Sequence, residues 1–208
     1  MPGSAAGPDH PLLTALPQDT LRRLEIYANI LQKWQGAVNL VGHSTLDDLW
    51  VRHFADSLQI ASSVPEARLW LDLGSGAGFP GLVAAINCAD ESGARVHLVE
   101  SNQRKCAFLR EVARETQAPA IVHCGRIENI LPGLNEPVEA VSARALAPLP
   151  KLLGYAQKFL DQGAIGVFPR GKLFEAELPL ALTEGKYLLT TIASRTDPAA
   201  RLVLVRRA

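Results

Sequence analysis

The chain has 208 residues, enough for one full α/β core but not for a second large domain. Its 21 basic and 21 acidic residues cancel, so no overall positive field draws it to nucleic acid or to an anionic membrane, and RNA contact would need local basic patches. Three cysteines without C-x-x-C spacing argue against a disulfide framework and a zinc site, so no metal is expected. No apolar run reaches the length of a signal peptide or a membrane span, and we therefore expect a cytoplasmic protein without membrane contact.

Two helices are predicted at the start of the chain, behind a flexible tail of residues 1–16. After Pro17, apolar residues recur at helical spacing and predict an amphipathic helix; they are Leu21, Leu24, Tyr27, Ala28, Leu31 and Trp34. A second helix is predicted to begin at STLDDLW (44–50), because a hydroxyl residue followed by acids is typical of an N-cap, and to end near Ala61. We expect this helical region, residues 17–64, to form one compact unit with the domain that follows.

From residue 65 onward, short β-type runs alternate with helical stretches, which predicts a mostly parallel sheet. The predicted strands are 68–73, 94–100, 120–124, 139–143 and 164–168, and the predicted helices are 79–88, 102–116, 148–160 and 171–183. The last two runs, 187–194 and 201–207, are separated only by RTDPAA and predict an antiparallel hairpin. Residues 65–208 are therefore interpreted as a Rossmann-like α/β domain of the class I S-adenosylmethionine-dependent methyltransferase type, preceded by N-terminal helices.

The first predicted strand runs into LDLGSGAGFPG, a loop that fits two cofactor patterns. Gly76, Gly78 and Gly81 spell the dinucleotide pattern G-x-G-x-x-G. An acidic residue followed by three alternate glycines is instead typical of S-adenosylmethionine methyltransferases; here these are Asp72, Gly74, Gly76 and Gly78. Either cofactor can approach the backbone N–H groups of such a loop closely. Asp72 favours S-adenosylmethionine, because its carboxylate can face an ammonium group, directly or through water, but would repel a pyrophosphate.

Three residues at the ends of the second and third predicted strands complete the predicted cofactor site. Glu100 ends the second strand, where it can accept hydrogen bonds from the ribose hydroxyls of either cofactor. Ile127 and Glu128 follow the third strand in HCGRIE and suit an adenine ring by apolar contact and hydrogen bonding. An NAD-binding oxidoreductase stays open as an alternative, although no segment is long enough for a separate substrate region with a proton donor.

Seven stretches between about residues 20 and 175 carry a family resemblance. They are LDLGSGAGFPG, VNLVG (38–42), VRHFADSL (51–58), LVESNQRKCAFLREV (98–112), GRIE (125–128), VSARALAPL (141–149) and PRGK (169–172). Together they resemble the bacterial ribosomal RNA small-subunit methyltransferase G family, also called glucose-inhibited division protein B. The resemblance implies methyl transfer from S-adenosylmethionine to N7 of one guanosine in 16S ribosomal RNA, near the decoding site.

The resemblance also implies site residues. It places cofactor contacts on Gly74, Phe79, Ile127, Glu128 and Arg144, beside the Asp72, Gly76, Gly78 and Glu100 of the general methyltransferase pattern. Arg144 is also the predicted catalytic residue, which would orient the guanine or the cofactor carboxylate. Since guanine N7 carries a lone pair and no proton, alignment and desolvation suffice without a strong general base. The family commonly has a lysine where this chain has Arg170, so a planar guanidinium replaces a compact ammonium there.

Local basic residues are the candidates for RNA contact, because phosphate contacts dominate affinity for nucleic acids. The predicted RNA-binding residues are Arg52, His53, Arg104, Lys105, Arg126 and Arg170. Because these basic residues are few, we expect the substrate to be 16S RNA folded within the small ribosomal subunit. We also expect this protein to be a monomer. A methyltransferase acting on another RNA, a protein or a small molecule stays open as an alternative.

Overall fold

The computed structural model describes residues 9–171 and 185–208, in which a seven-stranded sheet is flanked by helices on both faces. The strands are β1 Leu69–Leu73, β2 Arg95–Glu100, β3 Ala120–Cys124, β4 Ala140–Ser142, β5 Ile165–Arg170, β6 Tyr187–Ala193 and β7 Arg201–Arg207. Their order is β3-β2-β1-β4-β5-β7-β6, with β1 to β5 parallel and β7 antiparallel to both of its neighbours. The predicted parallel sheet and its C-terminal hairpin are confirmed.

Seven α-helices connect or cover these strands in the described part of the chain. They are α1 Pro11–Thr14, α2 Gln18–Gln35, α3 Asp56–Ser62, α4 Gly81–Asn87, α5 Gln103–Thr116, α6 Ile127–Ile130 and α7 Leu149–Asp161. The predicted helix 171–183 lies, beyond Gly171, outside the described residues. Within the described ranges, we find no helix with both the length and the apolar character needed to cross a membrane.

The predicted second helix begins later than expected. His43–Thr45 forms a 3-10 turn, and the chain continues through a π-helical turn, Trp50–Ala55, into α3. The Thr45 hydroxyl does not cap a helix, because it donates to the carbonyl oxygen of Gly42 at 2.8 Å and lies 2.9 Å from Nε2 of His53. The predicted start at residues 44–45 was therefore wrong, although the helical end near Ala61 is close to the observed one.

Part of the predicted N-terminal tail is folded. The helix α1 begins after His10, whose Nδ1 accepts a hydrogen bond from the backbone N–H of Leu12 at 3.2 Å. Leu13 is fully buried in the core. The tail boundary at residue 16 was thus placed too far along the chain, while residues 1–8 lie outside the described residues.

Alternate residues of each strand serve two separate cores, as the pleat of a strand requires. Trp70 of β1 belongs to a core that contains α2, α3, α4 and α5. Leu71 and Leu73 belong to a second core on the opposite face, with α6 and α7. Asp72 shares the face of Trp70 and so points under α4, which determines how it can act in the site described next.

Candidate cofactor and substrate site

Two cavities open beside the carboxyl ends of the parallel strands, which is where α/β sheets bind ligands. The smaller cavity has a volume of about 410 Å³ and the larger cleft about 1030 Å³. The segment Arg144–Ala147, directly after β4, separates them. Arg144 and Ala145 line the larger cleft, whereas Leu146 and Ala147 line the smaller cavity. A ligand in one space would therefore lie next to a ligand in the other.

The smaller cavity collects five of the nine predicted cofactor residues. These are Gly74, Gly76, Glu100, Ile127 and Glu128, and the wall also includes Lys105, Arg126, Leu146 and Tyr155. Ile127 is an apolar, nearly buried surface at the start of α6. The Tyr155 hydroxyl donates to Oε1 of Glu128 at 2.7 Å, and this bond holds the pKa of the Glu128 carboxyl below its ordinary value.

The carboxylate of Glu100 holds the glycine-rich loop, residues 74–78, in place. Its Oε2 accepts a hydrogen bond from the backbone N–H of Gly76 at 2.9 Å, and its Oε1 accepts one from the N–H of Asn102 at 2.7 Å. The side chain is only slightly exposed, at the floor of the cavity. A carboxylate offers about four lone-pair sites, so Glu100 retains acceptor capacity toward the cavity for hydroxyl groups.

Gly74 and Gly76 both have left-handed backbone angles, with φ of +67° and +57°. Residues with a side chain rarely adopt this conformation, so the backbone of the turn by itself accounts for glycine at both positions. A Cβ on Gly74 would also lie 2.7 Å from Cδ1 of Leu146, so the loop and the segment after β4 are in close contact. Both glycines leave their backbone exposed along one wall of the smaller cavity.

Asp72 does not line either cavity, contrary to the simplest form of the prediction. Its side chain is buried under α4, where Oδ1 accepts a hydrogen bond from the Ser142 hydroxyl at 2.8 Å. Burial raises the pKa of the Asp72 carboxyl to about 6, against the lowering effect of the hydrogen bond from Ser142. In this structure Asp72 therefore joins β1, β4 and α4 beneath the loop, and its predicted contact with a cofactor ammonium stays a prediction.

The raised pKa of Asp72 predicts a pH-dependent stability. A carboxyl that holds its proton more tightly in the folded state adds stability below about pH 4 and loses this contribution as the pH rises through 6. The variant Asp72→Asn does not ionise, so its stability relative to the wild type should rise by on the order of 2 kcal/mol from acidic to neutral pH. Urea unfolding of both proteins across this range measures the difference, and parallel curves would contradict the assignment.

Phe79 is also buried away from the smaller cavity. Its ring stacks on Tyr27 of α2, with centroids 5.2 Å apart, and on the ring of His53 at 4.9 Å. The guanidinium of Arg144 lies over the same ring, 5.2 Å from its centroid. Gly78 approaches Tyr27 as well, since a Cβ there would lie 2.6 Å from the Tyr27 hydroxyl. In this structure, Phe79 and Gly78 support Arg144 and α2 rather than line the smaller cavity.

Arg144 is held at the mouth of the larger cleft by the π-helical turn Trp50–Ala55 and by Asp56, the first residue of α3. Its Nη1 donates to the carbonyl oxygen of Arg52 at 3.1 Å and lies 3.5 Å from Oδ2 of Asp56. Its Nη2 donates to Nδ1 of His53 at 2.8 Å. Burial lowers the pKa of the guanidinium while Asp56 raises it, and an arginine stays charged throughout the physiological range.

His53 is neutral and has a defined tautomer. A guanidinium has no acceptor, so the His53 Nδ1 that faces Arg144 must be unprotonated and the ring proton must sit on Nε2. Nε2 then donates to the Thr45 hydroxyl at 2.9 Å. Burial, together with the charges of Arg144 and Arg52, lowers the pKa of His53 to about 3. His53 thus orients Arg144 instead of presenting a positive charge to RNA.

The predicted RNA-binding residues divide between the two spaces. Arg52 and Arg170 line the larger cleft with Arg144, and Arg170 donates to the carbonyl oxygen of Ala147 at 2.9 Å. Lys105 and Arg126 line the smaller cavity instead. Arg104 lines neither of the two. The larger cleft therefore brings together three arginines from three separate elements of the chain.

Several contacts of the site carry no recognisable sequence signal. The turn of the C-terminal hairpin, residues 194–200, forms part of the wall of the larger cleft through Thr196, Asp197, Pro198 and Ala200. Tyr27 of α2 donates a hydrogen bond to the carbonyl oxygen of Ala77 in the glycine loop. Ser142 could be identified only after β4 was known to lie beside β1, because it acts by reaching Asp72.

The size and the lining groups of the smaller cavity fit S-adenosylmethionine. Its volume lies in the range of roughly 300–1000 Å³ typical of small-molecule sites. Glu100 would supply acceptors for ribose hydroxyls and Ile127 an apolar surface for an adenine, while Gly74 and Gly76 leave the backbone unobstructed. The exposed backbone and carboxylates suit a molecule with several hydrogen-bond donors, as S-adenosylmethionine is.

Comparison with known proteins gives two kinds of match. A family model described as rRNA small subunit methyltransferase G matches residues 20–192. Relatives of this chain include two proteins named ribosomal RNA small subunit methyltransferase G. The protein from Methylorubrum populi is 49% identical, over 90% of this chain and 89% of the relative. The protein from Rhodospirillum centenum is 51% identical, over 89% of this chain and 83% of the relative.

Solved structures share the fold at low sequence identity. The O-methyltransferase TomG from Streptomyces achromogenes, in complex with SAM, has a TM-score of 0.64 and 14% identity, with 89% of each chain covered. An O-methyltransferase from Bacillus cereus, in complex with SAH, has a TM-score of 0.61 and 14% identity, with 94% of this chain and 93% of that chain covered. The predicted class I methyltransferase fold is confirmed.

Proposed function

The chain belongs to the rRNA small subunit methyltransferase G family, and from this premise we propose that it methylates N7 of one guanosine in 16S ribosomal RNA with S-adenosylmethionine as methyl donor. The observation that carries the proposal is the pair of adjoining spaces at the carboxyl edge of the sheet. The smaller cavity is lined by acceptor and apolar groups that suit the cofactor. The other space is a wide cleft lined by Arg52, Arg144 and Arg170.

The smaller cavity would hold the cofactor. Glu100 would accept hydrogen bonds from its ribose hydroxyls, Ile127 would pack on the adenine, and Gly74 and Gly76 would pass beneath it. When bound, S-adenosylmethionine supplies a methyl group on positively charged sulfur, whose bonding electrons stay on the sulfur when the methyl leaves. The segment Arg144–Ala147 determines where this group can meet the substrate, because it is the wall between the two spaces.

The larger cleft suits a guanine whose N7 has to be oriented toward the methyl group but does not have to lose a proton. Guanine N7 is a lone-pair acceptor without a proton, so no residue has to act as a general base. Among the described residues, the contacts of Arg144 use three of its five N–H groups, which leaves donors for the guanine O6 while N7 stays free to react. The neutral His53 and the carboxylate of Asp56 keep this guanidinium in place.

Mass mapping of 16S RNA tests the function directly. RNA from cells that lack this protein should lose one methyl group on a guanosine, and the purified protein with S-adenosylmethionine should restore it to the isolated RNA-protein particle. An unchanged methylation pattern in the deletion strain would contradict the proposal. Transfer to a protein or a small molecule, but not to 16S RNA, would favour the alternative of a methyltransferase with a different substrate.

We further expect the small ribosomal subunit to be a better substrate than naked 16S RNA. The net charge is zero and the larger cleft contains acids, Asp48, Asp56 and Asp197, beside its arginines. Binding by charge alone is therefore weak, and shape recognition of a folded surface has to contribute. Methyl transfer should be at least about tenfold faster, as kcat/KM, to purified subunits than to deproteinised RNA at equal salt. Equal rates would contradict this expectation.

A further inference from the structure

We infer that the turn of the C-terminal hairpin, residues 194–200, is a positioning element for Arg144, and that Thr196 is the residue through which it acts. The inference rests on the proposed function, because Arg144 is the residue that would orient the target base. It is argued from one continuous set of hydrogen bonds between the hairpin turn, α3 and the guanidinium of Arg144.

Gln59 joins the hairpin turn to α3. Its side chain is almost fully buried, and its Oε1 accepts a hydrogen bond from the backbone N–H of Arg195 at 2.8 Å. Its Nε2 lies 2.9 Å from Oγ1 of Thr196 and 2.8 Å from Oδ1 of Asp56. A buried amide with its donors and acceptor engaged fixes the separation of the groups it bridges. The turn is thus held at a set distance from the helix that carries Asp56.

Thr196 completes the link to Asp56. Its hydroxyl donates to Oδ1 of Asp56 at 2.8 Å, so this one carboxylate oxygen receives hydrogen bonds from both Thr196 and Gln59. The plane of the carboxylate is then defined, and its other oxygen, Oδ2, faces Nη1 of Arg144 at 3.5 Å. The hairpin turn therefore determines which way the carboxylate presents itself to Arg144.

Arg144 depends on this carboxylate because its other contacts do not balance its charge. The carbonyl oxygen of Arg52, the Nδ1 of neutral His53 and the ring of Phe79 are all uncharged partners. A largely buried guanidinium needs an ionised partner to offset its desolvation, and Asp56 is the carboxylate that contacts it. A change in the orientation of Asp56 would consequently move or loosen Arg144.

The same turn also forms a wall of the larger cleft. Thr196, Pro198 and Ala200 line the cleft, as Arg144 and Arg170 do. A substrate bound in the cleft therefore borders on both the turn and the guanidinium. Because the two are connected through Asp56, the hairpin turn sets the geometry of Arg144 from the same edge of the sheet, where Arg201 at the start of β7 pairs with Arg170 at the end of β5.

Three variants of the full chain test this inference. Thr196→Val removes the hydroxyl with almost no change in shape, Thr196→Ser retains it, and Thr191→Val makes the same exchange at an exposed position of β6 in the same hairpin. Methyl transfer to small ribosomal subunits gives kcat and KM for each protein. The 15N resonance of His53 Nδ1, assigned by its absence in His53→Gln, reports the bond from Arg144 without reference to activity.

Thr196→Val should lower kcat by about tenfold with little change in KM, and it should shift the His53 Nδ1 resonance toward that of a free imine nitrogen. Thr196→Ser should restore both values, and Thr191→Val should match the wild type. An unchanged resonance, or a rise in KM alone, would overturn the inference and leave the proposed function intact. Absence of transfer by the wild type would overturn the proposed function, while the resonance would still decide whether the turn positions Arg144.

Discussion

Replacing Arg144 by alanine is expected to reduce methyl transfer to small ribosomal subunits by about a hundredfold or more. The guanidinium lies at the mouth of the larger cleft, on the first residue of the segment Arg144–Ala147 that separates the cleft from the smaller cavity. Its loss removes the donors that would orient the guanine and leaves Asp56 without its cationic partner. Single-turnover transfer from radiolabelled S-adenosylmethionine measures the rate.

Cofactor affinity separates the two roles considered for Arg144. In this structure Arg144 lines the larger cleft and not the smaller cavity, so S-adenosylhomocysteine should raise the Tm of Arg144→Ala about as much as that of the wild type. The control is Arg22→Ala, which removes an exposed arginine from α2 that contacts only Asp19 at 3.6 Å among the ion pairs of the described residues. A normal transfer rate in Arg144→Ala would contradict the catalytic assignment, and a lost Tm shift would instead make Arg144 a cofactor residue.

The fold was largely predictable because its signals are local. Each central strand, such as β2, is a short apolar run bounded by turn residues, and β-strand and helical periodicities differ strongly. The helix α2 followed from its apolar stripe in the same way, and Leu24, Tyr27 and Leu31 are buried as expected. The C-terminal hairpin followed from the short connection RTDPAA, which cannot hold a crossover helix.

The start of the second helix was not predictable from local pattern. Ser44 and Thr45 followed by acids resemble an N-cap, but the Thr45 hydroxyl is engaged with Gly42 and with His53, eight residues further along the chain. That partner is available only because a π-helical turn brings His53 back toward the 3-10 turn. Capping patterns describe what a hydroxyl can do, and tertiary contacts determine which option it takes.

The site was predicted in outline, since residues after parallel strands meet at one edge of the sheet. The direction of each side chain was harder to predict. Asp72 lies one residue along the strand from Leu71, and the pleat turns it under α4 and away from the smaller cavity. Charge alone could not assign Lys105 and Arg126 to one space and Arg52 to the other. The hairpin turn has no motif, because its role depends on contacts with Asp56 and Gln59 of α3, which are far from the turn in sequence.

Gly81 and Gly154 are expected to respond in opposite ways to the same substitution. Both are glycines in helices, Gly81 at the first position of α4 and Gly154 within α7. A Cβ on Gly81 would meet the side chain of Leu98 and would lie 2.7 Å from both Cβ and Oδ2 of Asp72, whereas a Cβ on Gly154 would have nothing within 4 Å. The third glycine of the G-x-G-x-x-G pattern therefore serves the packing of α4 on the sheet, and does not require a dinucleotide cofactor.

Gly81→Ala should lower the free energy of unfolding by about 2 kcal/mol, because Leu98 and Asp72 are buried and fixed by the sheet. Gly154→Ala should raise it by about 0.5–1 kcal/mol, since alanine loses less backbone entropy in an exposed helix position. Urea unfolding of the two variants beside the wild type measures both changes. The opposite signs matter more than the sizes, because helix propensity alone would stabilise both variants. A Gly81→Ala protein as stable as Gly154→Ala would show that α4 can move away from β1 and β2 without cost.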